Sequence, residues 1–498
     1  MLDPARDRLW MCEHGVATGF VPGGPPGHKR RIAFALSAMR HFAAHMREQG
    51  FTVDYRAIDE EPSFEDPAEA LEADLATLRP TRVAVTRPGD HAFGERLAAA
   101  TRRYGAELEF VEDAQFFTTP ADFAAFMEGR KTPLLESFYR RVRRRESILL
   151  DEEGNPQGGA WNFDRENRES FPRTGPVDVP PQPQFHVDDI TDGVTALVER
   201  RYASHPGADA QVELPVTPAD ARAALADFTE HRLPHFGAVQ DAMWTAEPFL
   251  YHSRLSAPLN MGLLDPREVV EAAERAWRDG GAPINAVEGF IRQVAGWREY
   301  VRGVYFHYMP AYATRNALGA AHALPPLYWT GETQMRCLAD VMSGILTHAY
   351  AHHIQRLMVA GLFALLYGAR PDDFNGWHVA MYIDAFDWVS VPNTIGMSLH
   401  ADGGTVGTKP YAATGKYISR MSNYCRNCPF DPADASGKSA CPFTTLYWTF
   451  LERHRDRFRG NRRMTFQLKN LERKDDTEMQ RIRARETDVR HRAATGTL

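Results

Sequence analysis

Residues 332–367 read ETQMRCLADVMSGILTHAYAHHIQRLMVAGLFALLY and carry the clearest helical pattern of the chain. Positions of one face recur there at steps of three and four residues: Leu338, Met342, Leu346, Ala349, His353 and Leu357. The pattern predicts one continuous helix with His353 on its apolar face, either as a core histidine satisfied by a hydrogen bond or as a proton donor in a pocket. Similar patterns from residue 188 almost to the end predict a large all-α domain.

Four of the five cysteines are spaced like metal ligands. Cys337 lies in the helical stretch, and residues 425–442, CRNCPFDPADASGKSACP, add Cys425, Cys428 and Cys441. Two of them precede proline, a pairing also found around iron–sulfur clusters, and four-cysteine sets hold both [4Fe–4S] clusters and structural zinc. The spacing alone leaves iron–sulfur and zinc open, with buried, unliganded cysteines as the third alternative.

Length and composition indicate a globular protein of two or three domains. The chain has 498 residues, too many for one core, and its 43 % hydrophobic and 25 % charged residues are ordinary for such proteins. The longest apolar run, residues 357–367, is too short to span a bilayer, and the N-terminus has no basic-then-apolar signal. So few cysteines argue against a disulfide framework. We therefore expect a cytoplasmic protein without a membrane segment.

The first 125 residues alternate strand and helix patterns. Strands are predicted at 9–12, 52–58, 82–86 and 107–111, and helices at 32–48, 67–78 and 93–104. This alternation predicts a Rossmann-like α/β domain, a parallel sheet with helices on both faces, although no G-x-G-x-x-G or Walker sequence follows a strand. Glycines and prolines between 133 and 183 predict loss of regular structure there. The expected organisation is an α/β domain over 1–125, an interdomain linker over 126–187 and an all-helical domain over 188–498.

Two basic runs stand out against a net charge of −7. Residues 452–492 hold 14 Lys/Arg against 8 Asp/Glu, and residues 139–145, YRRVRRR, hold five arginines. Such runs can neutralise nucleic-acid phosphates, and the alternative for each is a solvated helix face.

Residues 251–262, YHSRLSAPLNMG, form a candidate phosphate site. Ser253 and Ser256 flank Arg254 just before a helical pattern, and hydroxyls, backbone N–H groups and a positive helix end suit a phosphate or pyrophosphate. The alternative for such a serine is a helix N-cap. Further on, residues 290–302, FIRQVAGWREYVR, place aromatics and arginines at helical spacing, with core packing as the alternative for the aromatics.

Together these motifs resemble the photolyase and cryptochrome superfamily. Residues 253–256, SRLS before Pro258, resemble its flavin-phosphate turn, residues 297–300 resemble its W-R-E-F/Y helix, and the match continues through RLM at 356–358 and the loop 384–393. The resemblance implies that Arg356 and Asp384 pair beside a flavin and that Asn393 lies near its reactive N5. It assigns ten residues to FAD binding: His252, Ser253, Arg254, Leu255, Ser256, Trp297, Arg298, Arg356, Asp384 and Asn393.

One branch of the superfamily is especially similar. The cysteine set matches the [4Fe–4S] ligands of the iron–sulfur bacterial cryptochromes and photolyases, also called prokaryotic (6-4) photolyases, and residues 158–164 and 447–454 resemble that branch as well. The resemblance implies iron rather than zinc. It implies His353 as the catalytic histidine, Tyr411 and Tyr417 as tyrosines on the substrate side, and Trp377 and Trp329 as the aromatics that carry electrons to the flavin.

The implied function is light-driven repair of UV-damaged DNA by a monomeric lyase. In that reaction photoexcited reduced FAD passes an electron to a flipped-out (6-4) photoproduct, and His353 supplies a proton. The main alternative is a photoreceptor of the same fold, in which the flavin redox state regulates a partner. The other alternative is a zinc-stabilised nucleic-acid-binding protein without photochemistry.

Three features depart from the resembling branch. The chain starts at what resembles the second strand of the antenna domain, so a first strand is expected to be missing. Cys12, Ala17, Phe20 and a loop over 22–27 replace residues that hold the branch's lumazine-type antenna chromophore, which argues against antenna binding. His378 follows Trp377 where a tyrosine is expected, which predicts slower flavin photoreduction or another electron route.

Overall fold

The computed structural model describes residues 3–14, 24–62, 64 and 66–498, and its N-terminal region alternates strands with helices. The elements follow in the order β1 (Arg8–Cys12), α1 (Lys29–Glu48), β2 (Thr52–Arg56), α2 (Pro67–Leu78), β3 (Arg82–Thr86), α3 (His91–Arg103) and β4 (Glu107–Val111). Side chains of His28, Asp66 and Asp90 accept backbone hydrogen bonds at the starts of the three helices and so define where each begins. The predicted α/β alternation is confirmed.

The strands form two parallel pairs instead of one sheet. β1 pairs with β2 and β3 with β4, and within the described residues no ladder joins the pairs. Apolar packing joins them, because Trp10 of β1 and Val83 and Val85 of β3 contact one cluster of α2 and α3, which contains Leu71 and Leu97. Ala17, Phe20 and part of the 22–27 loop lie outside the described residues.

The predicted linker begins with regular structure. Two helices, α4 (Pro120–Met127) and α5 (Leu135–Glu146), precede an irregular segment with short 3-10 turns at Gln157–Gly159 and Asp164–Glu166. The prediction that regularity ends at residue 133 is wrong for α5, because Phe138, Tyr139 and Val142 form an apolar face among the arginines and are buried. The loss of regular structure that glycines and prolines predicted is correct for the rest of the linker.

The rest of the described chain is helical, as predicted. Its α-helices are α6 (Asp189–Arg201), α7 (Pro218–His231), α8 (Leu233–Val239), α9 (Ser256–Asn260), α10 (Pro266–Arg278), α11 (Ile284–Ile291), α12 (Arg298–Tyr308), α13 (Leu327–Thr330), α14 (Arg336–His348), α15 (His353–Gln355), α16 (Leu362–Tyr367), α17 (Pro371–Met381), α18 (Asp387–Val391), α19 (Gly415–Met421), α20 (Pro442–Arg453), α21 (Arg455–Phe458), α22 (Thr465–Leu471) and α23 (Asp476–Ala494). None of the described helices has the length and apolar character needed to cross a bilayer.

The predicted continuous helix over 332–367 is broken. α14 ends where Ala349 adopts a left-handed conformation with φ 51°, and residues 350–352 connect it to α15. The Ala349 carbonyl accepts a hydrogen bond from Ile383 N at 2.9 Å, which holds the break in place. The apolar face therefore stops at Ala349, and the placement of His353 on that face is wrong: its side chain is 45 % exposed.

Buried polar contacts connect the two regions. The Thr118 N–H and hydroxyl donate to Glu299 of α12 at 2.8 and 2.6 Å, and Arg31 of α1 donates to the Tyr382 carbonyl at 2.7 Å. α6 also packs on α1, through a shared cluster that includes Ile32. Because buried polar groups need partners, these contacts fix the position of the α/β region on the helical region.

Both basic runs are largely committed to internal contacts. In the C-terminal run, Arg483 pairs with Glu452 at 2.6 Å, and Glu486 accepts from Arg453 and Arg490. In the run 139–145, Arg143 is buried and donates to the backbone carbonyls of residues 148, 149 and 161. These contacts favour the structural alternative for much of each run.

We expect Arg143→Met to lower the free energy of unfolding by about 3 kcal/mol, because three carbonyls lose charged hydrogen bonds and only the Leu149 carbonyl keeps another donor, Gln157 N. Urea unfolding followed by circular dichroism measures the change. Arg141→Met is the matched control, since Arg141 is exposed on the same helix, and it should leave stability unchanged. Equal destabilisation by both substitutions would contradict the structural role of Arg143.

Candidate functional site

A cavity of about 460 Å³ lies within the helical region. This volume is typical of a small-molecule site. Its lining includes all ten residues that the sequence assigns to a cofactor: His252, Ser253, Arg254, Leu255, Ser256, Trp297, Arg298, Arg356, Asp384 and Asn393. The structure therefore brings together four motifs that are separated by up to 140 residues along the chain.

An ion pair between Arg356 and Asp384 forms one wall. Arg356 donates to both carboxylate oxygens at 2.9 and 3.1 Å, and the Ser256 hydroxyl donates to the same carboxylate at 2.6 Å. Burial alone would raise the pKa of Asp384, but the Arg356 charge and these hydrogen bonds outweigh burial and hold that pKa below its ordinary value. Asp384 is therefore ionised in the folded protein at neutral pH.

The turn at 253–256 is shaped by Arg254. This residue has a φ of 56°, its guanidinium lies 3.9 Å from the Phe249 ring centre, and its charge faces Glu213 at 3.6 Å. Burial lowers the pKa of Arg254 to about 10, so the side chain still carries its charge at neutral pH. The turn thus directs a buried cation and two serines at the cavity, which suits an anionic group.

Three helical segments that border the cavity are wound as π-helix: Arg292–Trp297, Arg356–Gly361 and Pro392–Ser398. Each supplies lining residues, among them Trp297, Arg356 and Asn393. π-helical segments are rare in proteins, but those that occur are often found at functional sites. Periodicity in the sequence did not reveal them, because the segments are only 6, 6 and 7 residues long.

A group of three histidines occupies the mouth of the cavity. The rings of His252 and His352 stack with centres 4.4 Å apart, His353 lies edge-on to His252 at 5.5 Å, and one ring nitrogen from each lies within 4.8 Å of the others. Burial holds the pKa of His252 and of His352 well below the ordinary value, so both rings are neutral. His353 Nε2 lies 3.2 Å from an Asp241 carboxylate oxygen.

Sequence reasoning paired His352 with His348 and did not assign it to this site, and it missed Asp241. The break after Ala349 turns His352 away from α14 and so brings it into the site. The His352-His353 doublet was the available sequence signal for this position. Asp241 is more than 100 residues from His353, and nothing in the local sequence connects them. Of the two predicted substrate-side tyrosines, Tyr411 lines the cavity with His353 and Tyr417 lies outside that lining.

The predicted electron-transfer tryptophans occupy different environments. Trp377 is fully buried, and its ring lies 4.9 Å from Tyr328 and 5.6 Å from Tyr382, while Trp329 is half-buried and follows Tyr328 in the chain. Tyr382 also lies under the Arg356 guanidinium at 4.1 Å. Trp377 thus contacts Tyr382 on the side of the cavity, and the sequence did not predict Tyr382 as an electron carrier.

His378 lies beside this aromatic group. Its ring centre is 4.5 Å from that of Tyr382, and the residue lines the cavity. Burial lowers the pKa of His378 to about 3, so the ring is neutral at physiological pH. Because a neutral imidazole is harder to oxidise than a phenol, Tyr382 is the better electron carrier of the two.

The four predicted cysteine ligands converge around a second, smaller cavity. Cys337 lies in the first turn of α14, Cys425 and Cys428 flank the end of the 3-10 turn Tyr424–Asn427, and Cys441 is the N-cap of α20. A Cβ on Gly415 would lie 2.7 Å from the Cys441 sulfur, so glycine is the residue that allows the chain to pass. Segments distant in sequence thus present thiols to one point.

Burial raises the pKa of the Cys337, Cys425 and Cys441 thiols. The pKa is about 11 for Cys425 and about 12 for Cys441, so without a cation both stay protonated. Backbone N–H groups of Phe443 and Thr444 at the start of α20 oppose this rise at Cys441. A bound metal cation would stabilise the ionised form of the thiols.

The sulfur separations bear on the kind of metal. A Zn–S distance of about 2.3 Å places tetrahedral sulfurs ~3.8 Å apart. Among the described residues, the group of three ligand atoms within 4.8 Å of one another is the histidine group, and no three cysteine sulfurs meet that limit. The cysteines are thus spaced more widely than a single zinc ion requires.

The α/β region, the helical region and the residues around the cavity of the helical region together define an architecture of the photolyase and cryptochrome type. The structure superimposes on a bacterial class III photolyase from Agrobacterium tumefaciens with a TM-score of 0.55 and 15 % identity, covering 98 % of this chain and 91 % of that one. It superimposes on a cryptochrome from Synechocystis sp. PCC6803 with a TM-score of 0.51 and 13 % identity, covering 98 % and 93 %. At these identities the matches establish the fold.

Sequence comparison defines the family more closely. Residues 1–213 match the family model described as deoxyribodipyrimidine photo-lyase-related protein. The chain is 43 % identical over 463 residues to a protein named (6-4) photolyase from Agrobacterium fabrum strain C58, covering 93 % of this chain and 90 % of the relative. The chain therefore belongs to the photolyase-related family that includes this (6-4) photolyase.

Replacing Asp384 tests the ion pair. We expect Asp384→Asn to lower the free energy of unfolding at neutral pH by about 3 kcal/mol, because it leaves the Arg356 charge without its counter-charge. The pKa of Asp384 is depressed, so its stabilisation is complete above the ordinary value of 3.8 and is lost as pH falls below it. Denaturant unfolding from pH 7 to pH 3 should show a variant deficit that shrinks toward low pH.

The matched control for this substitution is Asp373→Asn, which breaks the more exposed Arg370–Asp373 pair. It should leave stability unchanged. A deficit in Asp384→Asn that is constant with pH would show that lost packing, and not charge, causes it.

Proposed function

We propose that this protein is a light-dependent DNA repair lyase that acts on (6-4) pyrimidine photoproducts with FAD as its cofactor. The observation that carries the proposal is the convergence of the ten motif residues on one cavity whose mouth bears His353 and Tyr411. The 43 % identity to a protein named (6-4) photolyase over nearly the whole chain supports the same function. This identity favours repair over the photoreceptor alternative. Membership of the photolyase-related family argues against the alternative of a zinc protein without photochemistry.

The residues present fit a flavin dinucleotide. Arg254 and Ser253 would bind its phosphates, and Arg356, held by Asp384, would place a positive charge beside the isoalloxazine ring. Asn393, fixed by its own hydrogen bond to the Val389 carbonyl at 2.8 Å, would lie against the reactive side of the ring. When bound and reduced, FAD supplies light absorption and the electron for repair. Trp377 and Tyr382 would supply electrons from the protein to the site.

His353 is placed to handle a proton. Its partly exposed ring lies between the cavity and the surface, where a flipped-out lesion would enter, and Asp241 orients it through Nε2. A (6-4) lesion requires proton transfer to its migrating hydroxyl, and an imidazole is the side chain that most often transfers protons in enzymes. We therefore assign proton donation to His353 and a positioning role to Asp241. Tyr411 and Tyr417 would contact the lesion or its flanking nucleotides.

His353→Ala should lower the rate of light-driven (6-4) repair by about 10²–10⁴-fold, the usual contribution of a general acid. The loss of lesion from a damaged oligonucleotide under blue light measures it. Anaerobic photoreduction of the flavin should be unchanged, because His353 carries no electrons in this scheme. His231→Ala, a substitution of an exposed histidine on α7, is the control and should repair normally. Unchanged repair in His353→Ala would remove the assignment.

We also propose that Cys337, Cys425, Cys428 and Cys441 bind a [4Fe–4S] cluster. Their wide spacing favours a cluster over one zinc ion, and cysteine is the usual ligand of such clusters. Because the four thiols come from α14, the turn at 424–427 and α20, the cluster would join distant segments and stabilise the fold by loop closure. We assign it a structural role.

Cys337→Ser should remove iron from the purified protein and lower its melting temperature. Iron and acid-labile sulfide per chain, with zinc measured in the same digest, provide the test. Cys12→Ser is the matched control: Cys12 is also buried, but its thiol donates to the Glu13 carbonyl at the end of β1, and iron should stay. Zinc in place of iron in the wild-type protein would overturn the cluster.

Repair by this route requires no antenna chromophore. Near Cys12, the buried Glu13 carboxylate accepts from Arg40 at 2.6 Å, from Tyr55 at 2.6 Å and from Ile58 N at 2.9 Å, so its oxygens are already engaged. We accordingly propose that a lumazine-type antenna is dispensable here.

We also propose that the protein acts as a cytoplasmic monomer on damaged DNA.

A further inference from the structure

The histidines at the cavity mouth come together through local backbone features. His352 is the N-cap of α15 and His353 its first residue, while His252 lies in the loop before α9. Adjacent residues seldom direct their side chains to one point, but the left-handed Ala349 and the following segment turn both rings toward His252. One ring nitrogen from each histidine then lies within 4.8 Å of the other two.

The ring nitrogens have the partners that a metal site needs. One nitrogen of His252 bonds to the Gln240 backbone, and His353 Nε2 faces the Asp241 carboxylate. Carbonyls and carboxylates in these positions commonly orient histidines that ligate metals.

His352 is the most unusual member. It is 1 % exposed and, apart from a capping-box contact with the backbone N–H of Gln355, its ring nitrogens have no hydrogen-bond partner within the described part of the chain. A buried polar atom without a partner is costly, and native proteins generally provide one. A ligand between the three rings would satisfy it.

The donor set selects the class of ligand. Three imidazoles without a coordinating thiol suit borderline divalent ions such as Zn²⁺, Ni²⁺ or Cu²⁺, whereas Mg²⁺ and Ca²⁺ require oxygen ligands. Zn–N distances of about 2.0–2.1 Å place the nitrogens ~3.4 Å apart, so closing the site requires the stacked His252 and His352 rings to turn their lone pairs toward one point and the exposed His353 to move in. We propose that His252, His352 and His353 form a transition-metal site at the mouth of the cavity, with a fourth position open to water.

Metal binding here would regulate the proposed repair reaction. An ion on His353 occupies the imidazole that is assigned to proton donation, so Zn²⁺ should inhibit repair. This consequence rests on the proposed function, whereas binding of the ion does not.

Binding is tested on the holoprotein in the dark, without DNA, by equilibrium dialysis against Zn²⁺ with zinc, iron and flavin measured in each sample. We expect one zinc per chain in addition to the iron, with an X-ray absorption shell of nitrogen at about 2.0 Å. His352→Ala and the exposed substitution His353→Ala should each weaken binding by at least about tenfold, and His231→Ala should bind like the wild type.

Three results would overturn the site. The first is no metal uptake beyond iron, which would mean that the bound flavin satisfies His352, and the second is a sulfur shell at about 2.3 Å, which would place zinc on the cysteines. The third is equal zinc uptake by His352→Ala and the wild type. In a second arm, Zn²⁺ should slow light-driven (6-4) repair reversibly upon chelation. Binding without inhibition would remove the regulatory role alone. Absence of repair in zinc-free protein would instead refute the proposed function and leave the dialysis result intact.

Discussion

The functional site depends on the buried ion pair between Arg356 and Asp384. Moving two charges out of water costs several kcal/mol for each ion, and the cost is offset only where geometry and additional hydrogen bonds are good. Here the guanidinium makes two bonds to the carboxylate and a third to the Ala351 carbonyl, and Ser256 adds one to Asp384. Because the partners come from α9, the segment after α15 and the segment after α17, one electrostatic requirement aligns three parts of the cavity wall.

Irregular backbone then gives the wall its chemistry. The three π-wound segments and the left-handed Ala349 interrupt otherwise apolar helices at the places where polar side chains must face inward. A regular helix through residues 332–367 would have buried His353 in the core. The break instead leaves it partly exposed beside Asp241. The break in the helix thus exposes His353, which a regular helix would bury, so that it can take part in a reaction.

The sequence predicted features that depend on residue type and spacing. Strand and helix alternation, the helical character of the larger region and the grouping of the ten cavity residues all follow from local patterns and motifs. It could not predict features that depend on tertiary contact. The π-windings, the Asp241–His353 pair and the place of Tyr382 beside Trp377 arise between segments far apart in the chain. The apolar face of α5 was hidden because arginines surround Phe138 and Tyr139 in sequence.

The same break also links two properties of His353. Turning residues 352 and 353 out of the helical register exposes His353 to an incoming lesion, and it brings both rings to His252. A histidine that can reach a substrate from this position is thereby also one that can bind a metal ion. The four cysteines instead line a separate, smaller cavity together with Met335, Phe430 and Phe443. Donor chemistry and location thus separate the sulfur set, suited to a structural cluster, from the imidazole set, suited to exchangeable ligands.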